Sequence, residues 1–184
     1  MEGKRRKNST CGKFVRSVAD HGIDVGNLPR VVGGLSKGQS FTAGAEWTLR
    51  YIGLHGGEFA GRRLDFEVEE EVGDKVRRMD MVVNDVTSGR LFYEFKSVKE
   101  VPPAHFLEQF GKDLANPDVS RLSQIRWVFD GRKAPADFKE KMIPEVKKLN
   151  VESEVANKFG FDSKEQFMAE IENQLDNIFI ISKQ

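Results

Sequence analysis

The chain has 184 residues, of which 39% are hydrophobic and 32% are charged, and this length fits one compact domain with a short appended segment. Basic and acidic residues number 29 each, so the formal net charge is +0, and the composition excludes disordered and collagen-like chains. No apolar run is long enough to span a membrane, and the single cysteine, Cys11, excludes an internal disulfide and a CxxC metal site.

The N-terminal segment differs in composition from the rest of the chain. Residues 1–40 are basic and polar, with many Gly, Ser, Lys and Arg residues, which predicts a lead-in or linker. We predict the domain itself at residues 41–184, with a helical extension at its C-terminus. It begins with a helix at 43–51, whose apolar residues recur at helical spacing and which ends at a group of glycines.

Three segments with alternating apolar and polar residues follow this helix. They cover residues 63–72, 76–86 and 91–98, and turn sequences at 73–74 and 87–90 separate them. Short turns between neighbouring strands are typical of antiparallel hairpins. The three segments therefore predict a β-meander.

The C-terminal half alternates helices with short strands. Helices are predicted at 106–114, 135–149 and 163–175, and the apolar runs at 125–129 and 178–181 are predicted to be strands. Helices that alternate with strands are typical of sheets covered by helices. The order of elements predicts an α/β fold with a central mixed β-sheet flanked by helices.

One group of charged residues on the predicted meander indicates a metal-binding catalytic site. Asp80 is on the second strand, and Glu94 and Lys96 are two residues apart on the third, so they project from the same face. A hairpin can bring Asp80 opposite this pair. Two close carboxylates repel each other unless a cation lies between them. Mg²⁺ prefers oxygen ligands of this kind, and the backbone carbonyl of Phe95 could supply a further one. Lys96 would then orient the attacking water or stabilise charge on a phosphate.

The motif resembles the signature of the PD-(D/E)XK nuclease superfamily, because Asp80 is followed by thirteen residues and then by Glu94-Phe95-Lys96. Met79 stands where the signature has a proline, a position that varies in the family. The resemblance implies a restriction-endonuclease-like core. It also implies an acidic residue on the helix before the meander and a polar residue on the helix after it. The catalytic set that it implies is Asp80, Glu94, Lys96, Glu46 and Gln109. The implied metal ligands are Asp80, Glu94, Glu46 and the backbone of Phe95, which would hold Mg²⁺ or Mn²⁺, with Zn²⁺ as an alternative.

Other charged residues have weaker signals. Arg78, Lys99 and Lys112 are candidate contacts to substrate phosphates. Lys112 is on the helix after the meander. The other two belong to a basic rim of the meander, whose further members are Arg62, Arg63, Arg77 and Lys96; salt bridges to the nearby glutamates explain the rim equally well. The acidic stretch at 67–71 could add a metal ligand, with Glu69 as the first residue to test. A solvated strand face is the favoured explanation of that stretch.

Within the superfamily, the segment from Gln109 to Phe129 resembles the C-terminal nuclease toxin domains of bacterial contact-dependent growth inhibition and Rhs-type effectors. The resemblance implies a domain secreted as part of a larger effector and acting in the cytoplasm of a target cell. Its implied partners are a nucleic acid and a cognate immunity protein, with no role for a membrane.

Three functions remain open from the sequence. The first is a metal-dependent endonuclease that hydrolyses phosphodiester bonds of DNA. The second is a tRNA-cleaving toxin of the same fold, because the sequence has no motif that distinguishes RNA from DNA. The third is a non-catalytic protein-docking module, in which Glu94 and Lys96 form a surface salt bridge and the acidic C-terminal helix binds a partner.

Overall fold

The computed structural model describes residues 2–73, 75–85, 89–100 and 103–182, without the side chains of residues 2–9, 39, 40 and 103. The chain folds into six strands and eight α-helices within this part. The strands are β1 (Asp24–Gly26), β2 (Arg63–Val72), β3 (Lys75–Asp85), β4 (Gly89–Lys96), β5 (Ile125–Asp130) and β6 (Phe179–Ser182). The helices are α1 (Glu2–Asp20), α2 (Leu28–Gly34), α3 (Gln39–His55), α4 (Pro103–Ala115), α5 (Phe138–Lys147), α6 (Ser153–Lys158), α7 (Lys164–Asn173) and α8 (Leu175–Ile178).

The strands form one mixed sheet in the order β1-β2-β3-β4-β5-β6. Strands β1 and β2 are parallel, β3 and β4 are antiparallel, and β5 and β6 are parallel. The predicted α/β fold with a mixed sheet flanked by helices is confirmed. No helix in the described ranges is long and apolar enough to cross a membrane.

The chain divides into two compact units. The first contains Met1–Val68 and Met79–Ser97, and the second contains Glu69–Arg78 and Val98–Gln184. Both strands of the β2–β3 hairpin are therefore divided between the units, because the tip of the hairpin belongs to the second one.

In the first unit, α1 and α3 pack against each other in close contact. The Ser17 hydroxyl donates a hydrogen bond to the carbonyl of Ile52 at 3.0 Å. A Cβ atom added to Gly56 would lie 1.8 Å from the Ser17 Oγ, so this position requires glycine. On another side of α3, the ring of Tyr51 contacts that of Phe95 on β4, with 5.5 Å between the ring centroids. This packing fixes α3 against one face of β4.

Residues 1–40, predicted to be a lead-in or linker, contain α1, β1 and α2. Phe14, Ile23 and Val31 from this segment are buried. The glycine- and lysine-rich composition of this segment does not indicate helices, because helix stability in proteins comes from packing more than from intrinsic propensity. The domain boundary at residue 41 stays a prediction.

The second unit has an aromatic core between α4 and the last two strands. The ring of Phe106 meets that of Trp127 edge to face at 5.2 Å, and Phe110 lies 5.2 Å from Phe179. A buried ion pair lies beside this core, where the Nε of Arg77 donates to Asp113 at 2.8 Å. The indole N–H of Trp127 donates to the other oxygen of Asp113, also at 2.8 Å. These bonds join the tip of the hairpin, α4 and β5.

Most of the predicted elements are close to those in the structure. Strand β2 has the predicted bounds, and β3 and β4 begin and end one or two residues earlier than predicted. The Ser163 side chain caps α7 by accepting a hydrogen bond from the N–H of Gln166 at 3.2 Å. Asp74, Thr87 and Ser88 of the two predicted turns, and Val86 at the end of the second predicted strand, lie outside the described residues.

Candidate active site

Asp80 and Glu94 meet at the end of the paired region of β3 and β4. The antiparallel register pairs Met81 with Tyr93, and one further step in the same register places Asp80 opposite Glu94. The N–H of Phe95 donates to the Oδ2 of Asp80 at 2.7 Å. A side-chain carboxylate therefore accepts a backbone donor of the neighbouring strand, which fixes the position of Asp80 beside β4.

Glu94 and Lys96 form a close ion pair on the same face of β4. The Nζ of Lys96 lies 2.5 Å from the Oε1 of Glu94, and the two side chains are 14% and 6% exposed. Tyr93 and Phe95 are on the opposite face, where their rings stack at 6.0 Å and pack against α3. The last four residues of β4 therefore place two charged side chains on one face and two aromatic rings on the other, as the alternation of the sequence predicts.

The surroundings of Asp80 disfavour a negative charge there. Burial raises the pKa of Asp80 to about 8, and the nearby Glu94 carboxylate acts in the same direction. The Lys96 ammonium and the hydrogen bond from Phe95 act against this shift without cancelling it. Two carboxylates thus share a region in which the ionised form of one is unfavourable.

The donor atoms at this place fit a hard divalent cation. A cation between Asp80 and Glu94 would remove their mutual repulsion and offset the cost of burying the charge of Asp80. The donors are oxygen atoms, which Mg²⁺ and Mn²⁺ prefer, whereas zinc prefers nitrogen and sulfur. Among the described residues, no three or more His, Cys, Asp and Glu side chains form a metal-binding group. A cation at this position would therefore be held by two carboxylates, completed by a backbone oxygen such as that of Phe95 and by water.

A third carboxylate, that of Glu67, influences the pKa of Asp80. The sequence did not distinguish this residue from the others of the acidic stretch. Its charge adds to the rise in the pKa of Asp80. The backbone of Glu67 has a φ of +51°, in the left-handed region, and its carbonyl accepts a hydrogen bond from Arg30 at 2.9 Å. Glu69, the residue of the acidic stretch chosen for testing, is exposed, as the solvated-face explanation predicts.

Glu46 has no hydrogen bond or ion pair with Asp80, Glu94 or Lys96 in the described part of the chain. It lies seven residues before Gly53, on the same face of α3, and Gly53 contacts α1. Tyr51, which contacts β4, is on another side of the helix. The assignment of Glu46 to the metal site therefore rests on the sequence alone.

The remaining predicted site residues belong to the second unit. Arg78 and Lys99 are exposed, and Gln109 on α4 is partly exposed. Lys112 forms an ion pair with Glu108 at 2.7 Å and lines a cavity of about 340 Å³. The roles of Arg78, Lys99 and Lys112 as substrate contacts, and that of Gln109 in catalysis, stay predictions.

Three arginines of the predicted basic rim have carboxylate partners. Arg62 pairs with Asp85 at 2.9 Å, and Arg63 pairs with Asp65 at 3.0 Å. Arg77 is buried in its ion pair with Asp113. Salt bridges therefore account for these three residues, but their partners are aspartates and not the glutamates that the alternative explanation names.

Comparisons with protein-family models, curated proteins and solved structures give no match to this chain. The assignment of a function therefore depends on the arrangement of the residues themselves.

Proposed function

We propose that the chain is a divalent-cation-dependent endonuclease that hydrolyses phosphodiester bonds in DNA. The observation that carries this proposal is the grouping of Asp80, Glu94 and Lys96 at one end of the β3–β4 pair. There the carboxyl of Asp80 has a pKa raised to about 8, and Lys96 lies 2.5 Å from Glu94. The same three residues carry the resemblance to the PD-(D/E)XK nucleases.

Each residue has a distinct role in this proposal. Asp80 and Glu94 hold Mg²⁺ or Mn²⁺, with the carbonyl of Phe95 as an additional oxygen donor. The N–H of Phe95 keeps the Asp80 carboxylate in place beside β4. Bound there, the cation supplies a Lewis acid for a phosphate oxygen and for the attacking water.

Lys96 contributes a positive charge where negative charge develops. Its ammonium donates a hydrogen bond to Glu94, and in this proposal the same charge orients the attacking water or stabilises a phosphate oxygen. The low exposure of the Lys96 side chain strengthens these interactions, because charges act more strongly away from water.

The biological setting is part of the proposal. The chain would be the toxin domain of a secreted bacterial effector that acts in the cytoplasm of a target cell. Such an enzyme needs an immunity protein that blocks it in the cell that makes it. The resemblance of the Gln109 to Phe129 segment to effector nuclease domains supports this setting.

The test is cleavage of plasmid DNA and, separately, of total tRNA by the purified chain, with Mg²⁺, Mn²⁺ or Zn²⁺ and with EDTA. We expect nicking or linearisation of the plasmid with Mg²⁺ or Mn²⁺ and none with EDTA. Cleavage of tRNA alone would replace DNA by RNA as the substrate. Folded protein that cleaves neither nucleic acid would contradict the proposal and favour the docking module.

A further inference from the structure

A cleft between α1 and α3 carries positive charge that the proposed catalytic site does not use. It has a volume of about 280 Å³, and Lys13, Arg16 and His21 contribute to one wall. Gly53 and Leu54 of α3 contribute to the other wall. Because Gly53 has no side chain, α1 approaches α3 closely at this point. The side chains of Lys13 and Arg16 border the open space of the cleft.

Two cations of this cleft have no partner in the part of the chain that the structure describes. In the ranges that the structure describes, Lys13 and Arg16 form no hydrogen bond or ion pair, although Asp20 is four residues after Arg16 on the same helix. By contrast, Arg62 and Arg63 in the same unit each pair with a carboxylate. The charge of the cleft is therefore available to an external anion.

The arrangement of charge along α1 indicates the shape of the anion. Lys4, Arg5, Arg6 and Lys7 belong to the same helix as Lys13 and Arg16. At 1.5 Å per residue, the helix from residue 4 to residue 16 is about 18 Å long. Cations distributed over this length suit a linear polyanion better than a single small anion, and a nucleic-acid strand carries one charge about every 3.4 Å.

We propose that the α1–α3 cleft is a second contact surface for the substrate, which binds the phosphodiester backbone of the nucleic acid through Lys13 and Arg16. This proposal rests on the proposed nuclease function, because it assigns the same substrate to a surface outside the catalytic residues. Such contacts add affinity without sequence specificity. An acidic protein partner is the competing occupant of this surface.

The test is the binding of a short fluorescein-labelled DNA duplex, measured by fluorescence anisotropy in EDTA over a range of salt concentrations. The test variant is Lys13→Gln/Arg16→Gln, in which neither residue has an internal partner to lose. The control is Lys141→Gln/Lys148→Gln, which removes the same charge from an exposed lysine on α5 and from one that directly follows it; they pair with Asp137 and Glu145. A third variant, Asp20→Asn, removes a negative charge from the cleft.

We expect Lys13→Gln/Arg16→Gln to lower the slope of log affinity against log salt by about 2 and to weaken binding about tenfold at ~0.1 M salt. Asp20→Asn should strengthen binding about twofold, since it removes repulsion of phosphate. This change in the opposite direction cannot result from unfolding. The control should bind like the wild type.

Equal binding by Lys13→Gln/Arg16→Gln and the control, or no binding by the wild type, would overturn the proposal and leave the acidic partner. The proposed function fails separately, because binding in EDTA requires no cleavage. If the wild type cleaves DNA and the cleft variants bind normally, only the cleft proposal is lost. If the cleft variants weaken binding and no cleavage occurs, only the nuclease proposal is lost.

Discussion

Replacing Asp80 by Asn is expected to lower the rate of DNA cleavage about 10³-fold, because a charged ligand that assists the transition state contributes several kcal/mol. Asn keeps the shape of the side chain and can still accept the hydrogen bond from Phe95. The chain should remain folded and should melt at the same or a higher temperature without metal. The reason is that the variant no longer carries a carboxyl group in a place that disfavours its charge.

The same assay separates the site residues from their neighbours. Glu94→Gln should lose a similar factor, and Lys96→Met about 10²-fold, because each removes one charge from the transition state. Asp24→Asn is the matched control, because its carboxylate is exposed and pairs with Arg63 on β2. Its rate should equal that of the wild type. Cleavage by Asp80→Asn within about threefold of that control would refute the assignment, since the loss expected from a metal ligand is far larger.

Replacing Asp113 by Ala is expected to lower the free energy of unfolding by about 3–5 kcal/mol, the cost of leaving a buried charge without its partner. Asp113 is 2% exposed and accepts hydrogen bonds from Arg77 and Trp127, and Arg77 is itself only 8% exposed. Because a domain has a total stability of about 5–15 kcal/mol, this loss is a large fraction of it. Equilibrium unfolding in urea, followed by tryptophan fluorescence, measures the change.

Two further variants identify the cause of this loss. Asp137→Ala removes an exposed carboxylate that pairs with Lys141, and it should change the stability by less than about 1 kcal/mol. The double variant Arg77→Met/Asp113→Leu removes both charges and should recover much of the lost stability, as apolar replacements of buried pairs often do. A loss below about 1 kcal/mol for Asp113→Ala would show that the pair does not stabilise the second unit.

The β3–β4 hairpin that carries the candidate site could be predicted from the sequence, because its pattern of apolar and polar residues is local. Strands β2, β3 and β4 alternate apolar and polar residues, and short turn sequences separate them. The same alternation places Glu94 and Lys96 on one face and Tyr93 and Phe95 on the other. The register that brings Asp80 to Glu94 follows once the two strands pair.

The position of Glu67 could not be predicted in this way. Its φ of +51° interrupts β2, and no local signal identifies a glutamate that adopts a left-handed backbone. The acidic stretch in which it lies gave a reason to look for an additional carboxylate. Alternation does not distinguish Glu67 from Glu69, because residues two apart share a face of a regular strand.

The partner of Arg77 could not be predicted from the sequence either. Arg77 and Arg78 are neighbours with the same charge, and the sequence alone gives no reason to bury one and expose the other. Asp113 is 36 positions from Arg77, so only the packing of α4 brings them together. Long-range pairs of this kind require the tertiary structure, whereas capping by Ser163 depends only on residues within one turn.

Binding of Mn²⁺ by the purified chain, measured from the depletion of the free ion's paramagnetic resonance signal, tests the central claim most directly. The claim predicts that the wild type and Asp24→Asn take up the ion and that Asp80→Asn and Glu94→Gln lose this binding. No uptake by the wild type, or equal uptake by Asp80→Asn, would contradict a cation site at Asp80 and Glu94 and would leave the Glu94–Lys96 pair as a salt bridge of a docking module.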